Sequence, residues 1–410
     1  MKKWPLVLAL ILTYVIFAIL LNSVGTVILQ VIHNYNITKH SASTLEGFKD
    51  LPIAIVSFFV ASFLPRLGYK ASIQLGLIVV TMACFAMPLL PSFMTTKFLF
   101  LALGASFALV KVSVYATIGT ITDSPRQHAS LLNTIEGFFM LGVLFGNWLF
   151  SLFIHDSATR TQEWLNVYWL LGGLCLINLF TLRFTSIPKV KSTTQGSFWQ
   201  DFNDMLKLSY QSFVLIFIIS TFMYVLIEQS ISTWLPTFNH EILRIPRSMS
   251  VQVAGLMAGS LALGRLLAGI LLKRIAWHTL LSICIIGMAT LLIVILPVTK
   301  GIRPPTPVNW QNAPLAIYLL PIIGIFMAPI YPAINSVMLS SLPKSQHAAM
   351  TGLIVIFSAL GGTTGSIITG NLFHSFGGQK AFYLLLLPLA ILYCSTQSFR
   401  SVTRHSPAVI

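Results

Sequence analysis

The sequence predicts an all-α membrane protein with twelve transmembrane helices, arranged as two pseudo-symmetric six-helix bundles around a central cavity. Three observations carry this prediction. The 410 residues are 56% hydrophobic and only 9% charged, whereas about a quarter of the residues in a soluble domain carry charge. Apolar runs long enough to cross a bilayer recur along the whole chain, and the two halves of the sequence resemble each other.

Twelve apolar runs set the number of spans. A helix needs about 20 residues to cross about 30 Å of hydrocarbon. The runs lack the apolar–polar alternation of a membrane β-barrel. We number them as the first to twelfth spans, at residues 5–29, 43–64, 71–91, 97–121, 129–154, 164–186, 211–236, 250–272, 278–297, 314–341, 347–373 and 379–399.

The net charge of +15 comes from basic residues spread over many short loops. With the N-terminus in the cytoplasm, the cytoplasmic loops carry most of the Lys and Arg, as the positive-inside rule requires. We therefore expect both termini in the cytoplasm and no nucleic-acid partner. Short loops and a retained first helix indicate a bacterial inner membrane.

The sequence lacks the patterns of an enzyme. It contains no nucleophile–base set, no metal-ligand spacing and no phosphate-binding glycine loop. The four cysteines are scattered through apolar spans and read as packing residues. We expect no metal and no cofactor, and an ion gradient as the energy source.

The spans fall into two halves, 1–186 and 211–410. The segment 187–210 between them begins a helix-like pattern at Ser197 and Gln200, which have capping-box spacing. We expect a short amphipathic helix on the cytoplasmic surface. A mobile linker is the alternative.

An internal repeat relates the halves. His128 aligns with His347 and, at the same offset, Gly142 with Gly361 and Gly146 with Gly365. Duplicated halves indicate two bundles with a substrate site near the membrane midplane between them. The aligned glycines predict close helix packing within the chain, not a dimer seam.

Short motifs resemble the major facilitator superfamily. The loop RLGYK after the second span resembles the inner-loop motif of that superfamily, with Pro65 in place of the motif's acid. Three further stretches resemble the fucose–proton symporter branch, namely YVLIEQSISTW at 224–234, LALGRLLAGILLKRIAWH at 261–278 and IYPAINSVML at 330–339. The resemblance implies a monomeric secondary active transporter that moves a sugar or sugar derivative by alternating access, coupled to protons. It also implies structural roles for Arg66 and Arg265.

Three charged residues begin the second span. Ionisable residues at membrane depth cost about 2.5–3.5 kcal/mol and usually face a cavity or a partner. Glu46, Lys49 and Asp50 project from one side of the helix. We expect Glu46 and Asp50 to carry protons and Lys49 to contact substrate. A solvated helix start is the alternative.

A second charged group lies deeper. Lys111 and Glu136 are roughly 15 Å and 10 Å from the inner ends of consecutive antiparallel spans, so an ion pair between them is expected. The aligned positions of the second half, Ile330 and Val355, are uncharged. The scaffold does not need these charges, and we expect Glu136 to couple protons and Lys111 to contact substrate. A buried pair that fixes helix packing is the alternative.

Other polar residues complete the candidate substrate site. The resemblance points to the seventh span, which often supplies sugar contacts in that family. Interhelical hydrogen bonds are the alternative for these residues. The candidates are Asn22, Tyr115, Asn133, Glu228, Gln229 and Asn335.

The chain departs from the fucose symporters at their two membrane acids, which fall on Lys111 and near Gly25. A lysine in the cavity favours an anionic substrate. A carrier of an organic anion or siderophore-like solute, importing or exporting, is therefore the alternative function.

Overall fold

The computed structural model of the chain describes residues 4–122, 124–156, 161–185, 205, 207–305, 307–343 and 346–403. All regular elements within these ranges are helices. The predicted all-α class is confirmed.

Helices occupy all twelve predicted spans. Eleven are long and apolar enough to cross a membrane, counted over the described residues. The second span is a 23-residue helix that carries Glu46, Lys49 and Asp50 and is not among the eleven. The long helices are Trp4–Leu21, Val24–Tyr35, Leu45–Leu67, Tyr69–Leu89, Phe93–Ile121, Pro125–Ser151, Asn166–Arg183, Ser212–Glu241, Arg247–Leu271, Trp277–Val298, Ile330–Ser340, His347–Phe376 and Leu386–Thr403.

Two spans are interrupted. The first breaks between Trp4–Leu21 and Val24–Tyr35, where the Asn22 and Ser23 side chains donate to the carbonyls of Ala18 and Leu20 at 2.9 and 2.7 Å. Such bonds compete with the helical ladder. The tenth consists of Ala316–Leu319, the 3₁₀ turn Leu320–Ile322, Ile323–Met327 and Ile330–Ser340. Pro321 and Pro329 lie at its joints, and proline lacks the backbone donor that a continuous helix requires.

The chain divides into two compact units. Unit one comprises Met1–Ile37 and Phe48–Gln195, and unit two comprises Thr38–Gly47 and Gly196–Ile410. The amphipathic helix predicted for 187–210 lies mostly outside the described residues. Thr38–Gly47, which connects the first two spans, belongs by its packing to unit two.

The aligned glycines mark equivalent helix contacts in the two units. In unit one, a Cβ on Gly142 would lie 2.9 Å from the Val15 carbonyl oxygen of the first span. In unit two, a Cβ on Gly361 would lie 2.6 Å from the Phe222 carbonyl oxygen of the seventh span. The fifth span therefore packs on the first as the eleventh packs on the seventh, and these glycines serve contacts within the chain.

The short helix Lys39–Ser43 packs within unit two against the eleventh span. Thr38 caps it, since its side chain accepts a hydrogen bond from the Ser41 amide. Ser366 of the eleventh span donates to the Ser43 carbonyl at 3.2 Å. We call the segment Thr38–Gly47 the strap.

Candidate functional site

The charged start of the second span is buried. Glu46, Lys49 and Asp50 are 0%, 7% and 8% exposed, so the alternative of a solvated helix start is wrong. The Lys49 ammonium lies 3.4 Å from Asp50 Oδ1 in unit one. The second span packs closely against the fourth at this point because residue 104 is a glycine. A Cβ on Gly104 would lie 2.1 Å from the Lys49 carbonyl oxygen.

Glu46 has a hydrogen-bond partner in unit two. The Thr233 hydroxyl of the seventh span lies 3.0 Å from Glu46 Oε2 and 3.3 Å from Gln229 Oε1. A hydroxyl has one proton to donate, and the nearer carboxylate is the stronger acceptor. The side chains of Glu46, Gln229 and Thr233 therefore lie together where the strap contacts the seventh span. Glu46 and Gln229 are candidate site residues of the sequence analysis.

Lys111 and Glu136 do not form the expected ion pair. Both belong to the described part of the chain, and Tyr115 stands as the partner of each. The Tyr115 hydroxyl donates to Glu136 Oε1 at 2.5 Å. The Lys111 ammonium lies over the rings of Tyr115 and Phe107, 5.9 and 5.8 Å from their centroids, within the range of a cation–π contact.

Tyr14 of the first span completes this group. Its side chain is 1% exposed, and it interacts electrostatically with both Tyr115 and Glu136. Its hydroxyl makes no hydrogen bond of standard geometry to any described residue. The rings of Phe107 and Phe139 lie 6.4 and 5.9 Å from it. A tyrosine pair thus faces a carboxylate between apolar rings.

Unit two contains a comparable pair. Tyr224 of the seventh span stacks on Tyr331 of the tenth, with ring centroids 5.8 Å apart. Tyr331 shares a 3.0 Å hydrogen bond with Ser358 of the eleventh span. Tyr224 also interacts with Glu228 and Arg265. Glu228 and Arg265, two charged residues that the sequence analysis selected, therefore lie beside this second tyrosine pair.

The remaining predicted residues are more dispersed. Asn335 lies beside Tyr331 in unit two. Asn133 is exposed, and so is Asn22, which bonds its own helix. Arg66 lies in the second span, and its side chain is outside the described part of the structure.

Sequence reasoning missed Tyr14, Thr233, Tyr331 and Ser358, which hold the predicted groups. The repeat gave no signal for Tyr331, because the offset that aligns Lys111 with Ile330 aligns Tyr115 with Ile334. No group of three His, Cys, Asp or Glu side chains suited to a metal ion occurs among the described residues.

Comparisons with known proteins agree with this architecture. No curated protein matches the sequence. Among solved structures, the nucleoside transporter NupG superposes with a TM-score of 0.74 at 15% identity, covering 98% of this chain and 99% of its own. A bacterial homologue of the human lysosomal transporter Spinster gives 0.78 at 12% identity, covering 98% of each chain.

The E. coli fucose:proton symporter FucP shares the fold as well, with a TM-score of 0.60 at 14% identity, covering 96% of this chain and 99% of its own. The family model of the Major Facilitator Superfamily matches residues 8–366. The predicted superfamily is thereby confirmed: the chain belongs to the Major Facilitator Superfamily and is a membrane transporter, not an enzyme.

Proposed function

We propose that this transporter moves a small hydrophilic solute, a sugar or sugar derivative, by alternating access in symport with protons. The observation that carries the proposal is the Glu136 carboxylate, held in a membrane span by the Tyr115 hydroxyl at 2.5 Å. A carboxyl group at membrane depth is costly and marks an ion path by default. The fold is shared with a fucose:proton symporter, which supports the same class of substrate.

Glu136, Asp50 and Glu46 are the proposed proton carriers. Each of these carboxyl groups has a polar partner in the structure, namely Tyr115, Lys49 and Thr233 respectively. A substrate that competes for these partners would change the surroundings of the carboxyl groups, and in this proposal that competition couples the two fluxes.

The polar candidates supply the substrate contacts. Hydroxyl-rich solutes need donors and acceptors beside aromatic rings. Each unit offers such a set around its tyrosine pair. We assign substrate contacts to Asn22, Lys49, Lys111, Tyr115, Asn133, Glu228, Gln229 and Asn335, and structural roles to Arg66 and Arg265.

In this proposal the halves 1–186 and 211–410 alternate as rigid bundles joined by the linker 187–210. The protein works as a monomer in a bacterial inner membrane, with both termini in the cytoplasm.

One observation favours the second candidate function, transport of an organic anion or siderophore-like solute. The Lys111 side chain is exposed within its span, and no ion pair joins it to Glu136, although both lie in the described ranges. A cation that is not neutralised by the neighbouring acid is suited to bind a carboxylate of the solute.

Uptake by proteoliposomes, with and without an imposed inward proton gradient, tests the proposal. Neutral sugars, sugar acids and nucleosides are added as competitors for the uptake of a labelled solute. We expect neutral sugars to inhibit this uptake and the proton gradient to drive accumulation of the labelled solute in the vesicles. Competition by acidic solutes alone supports the second candidate and rejects the first.

Two variants test the proton carriers in the same vesicles. Glu136→Gln and Asp50→Asn should abolish accumulation driven by the gradient. Glu163→Gln is the matched control, because Glu163 is an exposed acid paired with His155. Unchanged accumulation in both Glu136→Gln and Asp50→Asn would contradict the proposed coupling.

A further inference from the structure

We propose that Tyr331 of the tenth span and Ser358 of the eleventh span form a subsite in unit two that recognises one neutral hydroxyl group of the solute. The solute hydroxyl accepts a hydrogen bond from one of these two side chains and donates one to the other. The proposal rests on the proposed function, because it names the residues that distinguish one hydroxylated solute from another. We call Tyr331 and Ser358 the hydroxyl pair.

The two side chains are joined by a single hydrogen bond. Their oxygens lie 3.0 Å apart, and either oxygen can be the donor. Each hydroxyl has one proton and two lone pairs, so the pair has a second proton that this bond does not use. Within the described ranges, neither oxygen makes a further hydrogen bond of standard geometry. The pair can therefore both donate to and accept from a solute hydroxyl.

Ser358 differs in this respect from three other serines in the spans of unit two. The hydroxyls of Ser220, Ser230 and Ser395 donate to carbonyls of their own helices at 2.9, 2.7 and 3.0 Å. Such a bond uses the hydroxyl proton within the helix. In the part of the chain that the structure describes, Ser358 has no bond of this kind and contacts Tyr331 instead. Its hydroxyl is thus not committed to the backbone.

Stacking holds the Tyr331 ring in place. Tyr224 of the seventh span is 2% exposed, and its ring lies 5.8 Å from that of Tyr331, with 30° between the ring planes. The side chains of Tyr331 and Ser358 are half-buried, so they leave surface that a solute can contact. A side chain that is already fixed loses little entropy when a ligand binds. The stack therefore prepares the hydroxyl pair for recognition.

Two proposed substrate contacts lie on the same helix faces as the tyrosines. Glu228 follows Tyr224 by four residues on the seventh span, and Asn335 follows Tyr331 by four residues on the tenth. Residues at this spacing are neighbours on the surface of a helix. The hydroxyl pair therefore lies among the polar residues of unit two that the proposed function assigns to the solute.

The repeat indicates that helix packing does not require the hydroxyl pair. At the offset that aligns the glycines of the two halves, Tyr331 aligns with Val112 and Ser358 with Phe139. Unit one builds the corresponding helices with apolar side chains at both positions. The pair is thus particular to unit two, as expected of residues that recognise a solute.

Equilibrium binding to the purified full-length protein tests the subsite. Tritiated D-glucose, L-fucose and D-xylose are the probes, and the monodeoxy analogues of each sugar are the competitors. We expect the wild type to bind at least one of these sugars. One deoxy analogue of that sugar should bind about three- to tenfold more weakly than the sugar itself, because it lacks the hydroxyl that the pair bonds.

Ser358→Ala and Tyr331→Phe should each lose this discrimination, so that the sugar and that one analogue bind within about twofold of each other. A general loosening of unit two would instead weaken the sugar and all its analogues alike. Ser395→Ala is the matched control, because it removes the 2.9 Å bond between the Ser220 and Ser395 hydroxyls of the seventh and twelfth spans. This control should keep the wild-type discrimination.

Wild-type discrimination in either folded variant, with sugar binding retained, overturns the subsite and leaves the proposed function standing. An equal loss of discrimination in Ser395→Ala overturns it as well. If one of the two variants does not fold, the other decides alone. If the wild type binds none of the three sugars, the proposed transport of sugars fails and the subsite fails with it.

Discussion

Lys39 and Glu241 form an ion pair in unit two, with the ammonium nitrogen 2.6 Å from Glu241 Oε2. The two residues come from the strap and from the end of the seventh span. The same ammonium lies over the Phe373 ring, 5.3 Å from its centroid. His40 of the strap also hydrogen-bonds Asn371 of the eleventh span. A connection between the first two spans is thus tied into unit two by polar contacts.

The pair is predicted to stabilise the strap modestly. Its side chains are 21% and 31% exposed, and exposed pairs contribute about 0.2–1 kcal/mol. A double-mutant cycle of Lys39→Ala and Glu241→Ala should give a coupling energy in that range, which falls at high salt. Unfolding in detergent at two ionic strengths measures it. The more exposed His155–Glu163 pair is the control and should show weaker coupling. A coupling of zero at low salt would contradict the prediction.

The fold could be predicted from the sequence because span length and the repeat are local properties of the chain. The glycines at 142 and 361 predicted close helix packing within the chain, and the structure adds that their partners are the first and the seventh span. The strap was not predictable in this way. Its position in the sequence suggests unit one, whereas contacts such as Lys39–Glu241 and Glu46–Thr233, between residues 202 and 187 positions apart, belong to unit two.

The candidate site was predicted less completely. Residue counts along a helix give the depth of Lys111 and Glu136, and their similar depth suggested an ion pair. Depth gives neither the rotation of each helix about its axis nor the side chain that lies between Lys111 and Glu136. Tyr115 occupies that place and bonds both residues. The buried Glu46 likewise accepts a hydrogen bond from Thr233, a residue nearly half the chain away.

Gly365 is predicted to tolerate no side chain. A Cβ there would lie 2.3 Å from the Leu226 carbonyl oxygen of the seventh span, and backbone cannot yield as a flexible side chain does. Gly365→Ala should lower the free energy of unfolding by about 1–3 kcal/mol, the usual cost of overpacking. Gly269→Ala is the control, because nothing lies within 4 Å of its Cβ position. Thermal unfolding in detergent compares the two, and equal melting temperatures would rule out the close contact.

Thr233 is predicted to stabilise the protein through Glu46. Thr233→Val keeps the side-chain volume but removes the donor 3.0 Å from a carboxylate that is 0% exposed. Loss of a buried hydrogen bond to a charged group costs about 1.5–3 kcal/mol. Thr134→Val is the control, since among the described residues the exposed Thr134 hydroxyl bonds only the Ser130 carbonyl of its own helix. Chemical unfolding should show a loss for Thr233→Val and little change for Thr134→Val.

Lys111 is predicted to decide between neutral and acidic solutes. Its ammonium faces aromatic rings and is not paired with Glu136, so it can bind a carboxylate of the solute without first breaking an ion pair. Lys111→Met keeps much of the apolar length of the side chain and removes the charge. If the protein carries anions, inhibition of uptake by sugar acids should weaken at least tenfold in Lys111→Met, because loss of one charge-assisted contact corresponds to about 1.5–3 kcal/mol. Inhibition by neutral sugars should stay within about twofold of the wild-type value.

Lys97→Met is the control for this lysine, since Lys97 also lies over aromatic rings, those of Phe48 and Phe93, but near the start of its span. Equal inhibition by sugar acids in wild type and Lys111→Met would remove the support that Lys111 gives to an anionic substrate. Loss of neutral-sugar inhibition instead would assign Lys111 to the sugar site itself, because the ammonium would then be a donor to sugar hydroxyls and not the partner of a carboxylate.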